Sequence, residues 1–292
     1  MPALCLDVIP EEYSIGLGTY SEGDREQWTE RVQTALDVGY RHVDTAQGYG
    51  NEAYLGDGIA RSAVDRDEVF LATKVAPDNL AYDDVLATVE DSLERLRTDY
   101  LDLLYVHWPA EAYDPEATLS AFDELHERGT IRHVGVSNFE PDQLDRAREV
   151  LDAPITAHQV ECHPFLQQDE LRAYAREHDH TLVAYCPLAK GEIFGTPADR
   201  DIEDPFATPI EFDVSVIQEI AKKHGVSPAQ VSLAWLLSKE NVAVIPKASS
   251  RDHMKDNLAA TDLELETTDL ERIDAIENEH RLIDPDFAAW NR

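Results

Sequence analysis

"LDLLYVHWP", Leu101 to Pro109, decides the architecture. It is too short for a globular helix and too apolar for a surface loop. A brief, almost unbroken apolar run of this kind reads as a strand buried on both faces, as in a parallel sheet. Its neighbours have a different period. On the upstream side, Tyr82 to Leu96 places Val85, Val89, Leu93 and Leu96 on one helical face. On the downstream side, Leu119 to Arg128 has helical spacing and closes on Gly129. The unit is therefore helix, strand, helix.

The same alternation runs outward in both directions. Towards the N-terminus come "YSIGLGTY", a helix from Arg25 to Val38, "YRHVDTA", a helix through Leu55, Ile59 and Ala60, and "EVFLATKV". Towards the C-terminus, "IRHVGVSNF" precedes a helix opened by Pro141, a favoured first helical residue. "ITAHQVECHP" and "TLVAYCPLA" follow, with a helix from Gln168 to His178 between them. Helical patterns at Val214 to His224 and Pro228 to Ser238 lead to "NVAVIPK", and two more helical stretches end the chain. Eight strands, nearly all followed by helices, predict an α/β fold: one (β/α)8 TIM barrel as a single domain over 1–292. No Gly-x-Gly-x-x-Gly opens a βαβ unit, so a Rossmann domain fits poorly. Residues 190–213 are long, acidic and rich in turn formers. They read as a loop at the C-terminal rim, either a lid or an insertion without a role.

Composition narrows the setting. The 292 residues carry 59 acids against 25 Lys plus Arg, a formal charge of −34. Such a chain should repel nucleic acid and anionic membrane, and no stretch is long enough to span a bilayer. The acids are spread along the whole length, so their mutual repulsion needs screening. The Debye length falls to about 3 Å at 1 M salt. A halophile's high-salt cytoplasm is the expected location, with an ordinary acidic protein as the alternative. The N-terminus lacks the basic and apolar regions of a secretory signal. The three cysteines, Cys5, Cys162 and Cys186, form no Cys-x-x-Cys pair and support neither disulfides nor a cysteine zinc site.

In a barrel the strand ends converge at one rim. Their last polar residues are Asp44, Lys74, His107, Ser137 with Asn138, Gln159 and Tyr185, and Tyr49 lies just beyond Asp44. An ammonium near a phenol favours the phenolate and so should lower the Tyr49 pKa. A carboxylate, Asp44, would keep Lys74 charged. Tyr49 would then donate a proton to a developing alkoxide while His107 orients the same oxygen. Taken singly, Asp44 also reads as a cap, Lys74 as a surface lysine, and His107 and Tyr49 as packing. Tyr185 could stack on a nicotinamide ring whose carboxamide meets Ser137, Asn138 and Gln159. After the last strand, Lys247, Ser249, Ser250 and Arg251 precede a short helix, a place where barrel enzymes bind phosphate.

At this point the chain resembles the aldo-keto reductases over nearly its whole length. The matching stretches are "GLGTY", "GYRHVDTAQGYGNE", "LATKV", "DLLYVHWP", "VGVSNF", "HQVECHP", "AYCPLA" and "VIPKASS", in family order. The resemblance implies a catalytic tetrad of Asp44, Tyr49, Lys74 and His107. It implies a nicotinamide cofactor, NADP(H) by preference and NAD(H) as the alternative. The cofactor would lie along Gly18, Thr19, Tyr20, Asp44, Ser137, Asn138, Gln159, Tyr185, Pro187 and Leu188. Its adenine end and 2′-phosphate would meet Lys247, Ala248, Ser249, Ser250, Arg251, His253 and Asn257. The implied substrate is a small aldehyde or ketone, lined by Tyr20, Tyr49, His107, Trp108 and Phe139. No metal, nucleic acid, membrane or obligate protein partner is implied, and the acidity points to a haloarchaeal member.

Three departures bear on specificity. Tyr20 stands where many members have tryptophan, Cys186 where "AYSPL" is usual, and His253 where an arginine often meets the 2′-phosphate. The tail "RLIDPDFAAWNR" is short, which predicts an open pocket. Two rivals remain. One is a metal-dependent barrel hydrolase using His42, Asp44, His107, His133, His158 and His163. The other is an NADPH-binding redox sensor with little turnover.

Overall fold

Helix boundaries follow from local chemistry. The computed structural model describes residues 9–10, 13–20, 23–195, 212–277 and 279–291. Helix α1 (Arg25–Val38) starts at Asp24, whose carboxylate accepts from the Gln27 N–H while Gln27 reaches back in a capping box. It stops at Gly39, where φ is 119°, a conformation that favours glycine. The sequence places the start of α4 at Leu119, but the helix runs Pro115–Glu127. Asp114 caps it by accepting from the Ala117 N–H at 2.8 Å, and Pro115 supplies a preset φ. Periodicity missed this turn because its outward residues are polar.

Strands β1 (Gly16–Gly18), β2 (His42–Asp44), β3 (Phe70–Val75) and β4 (Leu101–Val106) are followed by β5 (Ile131–Ser137), β6 (Ile155–Glu161), β7 (Thr181–Tyr185) and β8 (Val242–Val244). They pair in sequence order, every ladder parallel. Ile15 bridges Val244 in parallel, which brings the first strand back to the last. Between the strands lie α2 (Glu52–Arg61), α3 (Tyr82–Leu96), α5 (Pro141–Val150), α6 (Asp169–Glu177), α7 (Ser215–His224) and α8 (Pro228–Leu237). Helices α9 (Arg251–Leu258) and α10 (Thr267–Asp274) follow β8. The fold is the eight-stranded barrel that the alternation predicts. Of the rim loop at 190–213, residues 196–211 lie outside the described residues, and with them the question of a lid.

The core has two compartments. The larger lies between sheet and helices and includes Leu71, Val75, Leu104, Val106, Phe122 and Trp235. The smaller fills the barrel axis with Phe70, Ala72, Leu103, Tyr105, Ala157, Val183, Ala243 and Ile245. Successive side chains on a strand point to opposite faces. Hence Phe70 and Ala72 face the axis while Leu71 and Val75 face the helices.

Candidate active site

The same alternation places the polar rim. On β3 the inward positions Phe70 and Ala72 are followed by Lys74, two residues further along. On β6 the inward Ala157 leads to Gln159 and Glu161, and on β7 Val183 leads to Tyr185. On β2, His42 and Asp44 share one face. Apolar residues thus fill the axis and polar residues close its C-terminal end, where barrel enzymes carry out their chemistry.

Four side chains meet there. Lys74 and Asp44 are each only 1% exposed and form an ion pair. The Lys74 ammonium also donates to the Thr45 carbonyl at 2.8 Å and to the Tyr49 hydroxyl at 3.4 Å. The other Asp44 oxygen accepts from Gln159 Nε2 at 2.7 Å. His107 follows β4 directly, and its ring meets Tyr49 edge-on, with centroids 5.7 Å apart. Tyr20 also packs on Tyr49, with ring centroids 5.1 Å apart.

The charges are unequal in strength. Burial works against the Lys74 cation, yet Asp44 and the hydrogen bonds outweigh it and raise the pKa above 10.5, so Lys74 stays charged. Burial, helped by the Lys74 charge, holds the His107 ring at about 3, so it is neutral at ordinary pH. Tyr49 departs from the sequence expectation. Burial raises its pKa above 10.0, and the opposing pull of Lys74 does not overcome this. The phenol is therefore held protonated, as a proton donor must be.

The loop carrying Tyr49 is tied at both ends. Thr19 donates to the Asp44 carbonyl at 2.8 Å, and Thr45 donates to Asn51 Oδ1 at 2.8 Å. Asn51 in turn donates to the Thr19 carbonyl at 2.9 Å. Gln47 is fixed by four further bonds, and sequence reading passed over it. Its one signal was a polar residue inside the "DTAQGYG" turn.

Along the rim, the Ser137 hydroxyl donates to the Gln159 carbonyl at 2.9 Å. Asn138 has φ of 62° and donates to the His107 carbonyl and the Ser137 hydroxyl, both at 3.0 Å. Its own oxygen accepts from the Tyr185 hydroxyl at 2.9 Å. The side-chain amides of Asn138 and Gln159 carry the acceptor and donor types that a planar carboxamide pairs with, and the half-buried Tyr185 is bonded to Asn138 beside them. This donor set fits a nicotinamide. Lys247, Ser249, Ser250, Arg251 and His253 are exposed around the start of α9, where Ser250 caps the His253 N–H at 3.2 Å. Cationic and hydroxyl groups at a helix N-terminus suit a phosphate. Arg251 lies 3.6 Å from Asp37.

Other expected contacts are set deeper. Gly18 packs so tightly against the residue after β8 that a Cβ would collide with the Ile245 carbonyl. Ala248 and Asn257 are 2% and 3% exposed. Pro187 is buried and accepts from the Ser232 hydroxyl at 2.6 Å, while Leu188 is half-buried. Phe139 does not line a pocket. It is fully buried against Tyr113, at 5.5 Å between rings, and its backbone N–H donates to His158 Nε2. Asn138, at φ of 62°, breaks the strand alternation after Ser137, and Phe139 joins the core between sheet and helices instead of the rim.

Trp108 is half-buried beside His107, and the tail reaches it. Phe287 and Trp290 pack on Trp108 at 5.3 and 5.6 Å. The anchor is Glu161, fully buried, which accepts from the Leu282 and Ile283 N–H groups at 2.7 and 2.9 Å. A short tail therefore still covers Trp108 beside His107, because a buried carboxylate holds it down.

The histidines of the metal reading are engaged separately. His42 contacts the Tyr13 carbonyl at 3.2 Å, and His163 pairs with Glu161 at 2.9 Å. Among the described residues, the group close enough to share an ion is His224, Glu266 and Asp269, at the end of α7 and the start of α10 and sharing no residue with the rim set. There the Lys223 ammonium already bridges both carboxylates. No described helix is long and apolar enough to cross a membrane.

Residues 14–278 match the model of the aldo/keto reductase family. Methylglyoxal reductase DkgB of Escherichia coli O157:H7 is 36% identical over 279 residues, covering 94% of this chain and 97% of that one. Glyoxal reductase of Bacillus subtilis strain 168 is 36% identical over 267 residues, covering 91% and 90%. Among solved structures, MGS-M4, an aldo-keto reductase from a Medee basin deep-sea metagenome library, superposes with a TM-score of 0.81 at 31% identity, covering 93% of each chain.

Proposed function

The chain belongs to the aldo/keto reductase family, and from that premise we propose that it reduces small aldehydes and ketones to alcohols, with NADP(H) as the preferred cofactor and Tyr49 as the proton donor. The observation that carries this reading is the Lys74 ammonium, held by buried Asp44, 3.4 Å from the Tyr49 hydroxyl. When bound, the nicotinamide supplies hydride to the carbonyl carbon.

The residues of the chain serve the oxygen. As negative charge grows there, the Tyr49 hydroxyl gives up its proton. A neutral His107 offers a ring N–H to the same atom and sets its direction. Lys74 stabilises the phenolate left behind, and Asp44 keeps Lys74 charged and aimed. In alcohol oxidation Tyr49 acts as the base, against the burial that raises its pKa.

Ser137, Asn138 and Gln159 would hold the carboxamide, with the Tyr185 ring beneath the nicotinamide. Lys247, Ser249, Ser250 and Arg251 would take the 2′-phosphate; His253 replaces the bidentate partner that an arginine would offer. The aromatic wall of Tyr20, Trp108, Phe287 and Trp290 favours small carbonyl compounds, in keeping with the methylglyoxal and glyoxal reductases among its relatives. The working medium is a high-salt cytoplasm. The test is cofactor oxidation in concentrated KCl, with NADPH or NADH against methylglyoxal, glyoxal and simple aldehydes. Faster turnover with NADPH on the small dicarbonyls is expected. No oxidation of either cofactor with any carbonyl would overturn the reading.

A further inference from the structure

The Tyr49 turn is a single 3-10 turn over Gln47–Tyr49, with backbone bonds from the Tyr49 N–H to the Ala46 carbonyl at 3.1 Å and from the Gly50 N–H to the Gln47 carbonyl at 3.2 Å. Tyr49 lies between Gly48 and Gly50, both exposed, and Gly50 has φ of 66°. A Cβ at either glycine would meet nothing within 4 Å, so neither position is packed. Glycines on both sides give the chain freedom to move the ring. Those two bonds close the turn on itself, and its placement against the Lys74 strand depends on side chains that reach out of it.

Gln47 makes the most complete grip. Its carbonyl oxygen accepts from the Ala76 N–H at 3.1 Å and from Asn79 Nδ2 at 3.0 Å. Its amide nitrogen donates to the Thr88 carbonyl and to the Ser92 hydroxyl, each at 3.2 Å. All four hydrogen-bonding positions of the amide are used. A backbone N–H at one end and a backbone carbonyl at the other leave a single orientation for the group.

The partners connect to both halves of the site. Ala76 is two residues beyond Lys74, and Gln47 is two residues before Tyr49. Ser92 also receives a bond from Arg95 at 3.0 Å and donates to buried Glu52 at 3.3 Å. Glu52 accepts from Thr73, the residue before Lys74, at 2.6 Å. One amide thus joins the loop of the proton donor to the strand of the lysine and to α3.

We propose that Gln47 is a positioning residue that fixes the distance between the Tyr49 hydroxyl and the Lys74 ammonium. This rests on Tyr49 as the proton donor. Gln47 touches neither substrate nor cofactor; it acts through the turn. The charged and titratable groups facing Tyr49 are Lys74, Asp44, His107, Cys186 and the phenols of Tyr20 and Tyr185. Of these, Lys74 lowers the pKa of the phenol, and that pull weakens as the separation grows.

The test is Gln47→Leu, with Gln47→Glu as a second variant that keeps the length and the accepting oxygen but not the two donors. Small misplacements of a reacting group cost on the order of tenfold to a hundredfold in rate. Both variants should lose kcat on that scale while the NADPH dissociation constant stays at the parent value. Their pH–rate profiles for alcohol oxidation should move to higher pH. A merely structural role would lower the folded fraction and leave the profile in place. Parental kcat with a parental profile in a folded variant, or a loss of rate matching the loss of folded protein, overturns the proposal. If Leu prevents folding, the Glu variant decides. Tyr49→Phe run alongside separates the two readings. Turnover retained there removes the donor itself, whereas an inactive Tyr49→Phe beside parental Gln47 variants removes only the positioning role.

Discussion

The Lys74 ammonium stands 3.4 Å from the Tyr49 hydroxyl, although 25 residues of chain separate them. The same ammonium is paired with Asp44, which is 1% exposed. A cation buried this deeply has two tasks: it neutralises a carboxylate below the rim and presents charge to a phenol above it.

Replacing it separates those tasks. Lys74→Met leaves Asp44 buried without its counter-charge, a loss of about 3 kcal/mol. It also removes the one group that lowers the Tyr49 pKa strongly, so the rate should fall and the oxidation profile should move to higher pH. The double variant Lys74→Met with Asp44→Asn should recover much of the stability without recovering the rate. Thermal melts and steady-state kinetics on both proteins check this; a double variant with parental rate would contradict it.

The pH dependence follows from the directions of the shifts. Tyr49 is a neutral acid with its pKa raised above 10.0, so it stays protonated through neutral and mildly alkaline solution. His107, held at about 3, gains charge only in strong acid. Reduction at saturating substrate should therefore be flat across neutral pH, with no inflection near 6.5, the ordinary histidine value. Oxidation should instead climb as pH rises towards the Tyr49 pKa, because it needs the phenolate. A reduction profile that bends near the histidine range would show that His107 titrates.

The formal charge of −34 is expected to make folding depend on salt. Moving from about 1 M to about 0.01 M salt lengthens the Debye screening distance from about 3 to about 30 Å. Circular dichroism and activity should both be lost on dilution and return when KCl is restored. An unchanged spectrum in dilute buffer would mean that the carboxylates do not destabilise the compact state.

Much of this site was legible because a barrel turns sequence order into position. Asp44, Lys74 and Gln159 stand at or near the ends of strands and His107 directly after one, so their convergence could be read before any contact was known. Phe139 could not be read this way, since its strand-end position does not say which side the chain leaves on. The Tyr49 pKa was misjudged because a sequence shows the neighbouring charge and not the burial that opposes it. Gln47 and Glu161 were hidden for a different reason. Their partners include backbone amides and a carbonyl, at Ala76, Thr88, Leu282 and Ile283, and any sequence supplies those.

The most direct test removes one oxygen. Tyr49→Phe keeps the ring against His107 and Tyr20 but deletes the hydroxyl that Lys74 faces. In concentrated KCl, single-turnover oxidation of bound NADPH by methylglyoxal should fall to near background, while NADPH binding, followed by protein fluorescence, stays at the parent level. Hydride transfer at the parental rate in this variant would contradict the account.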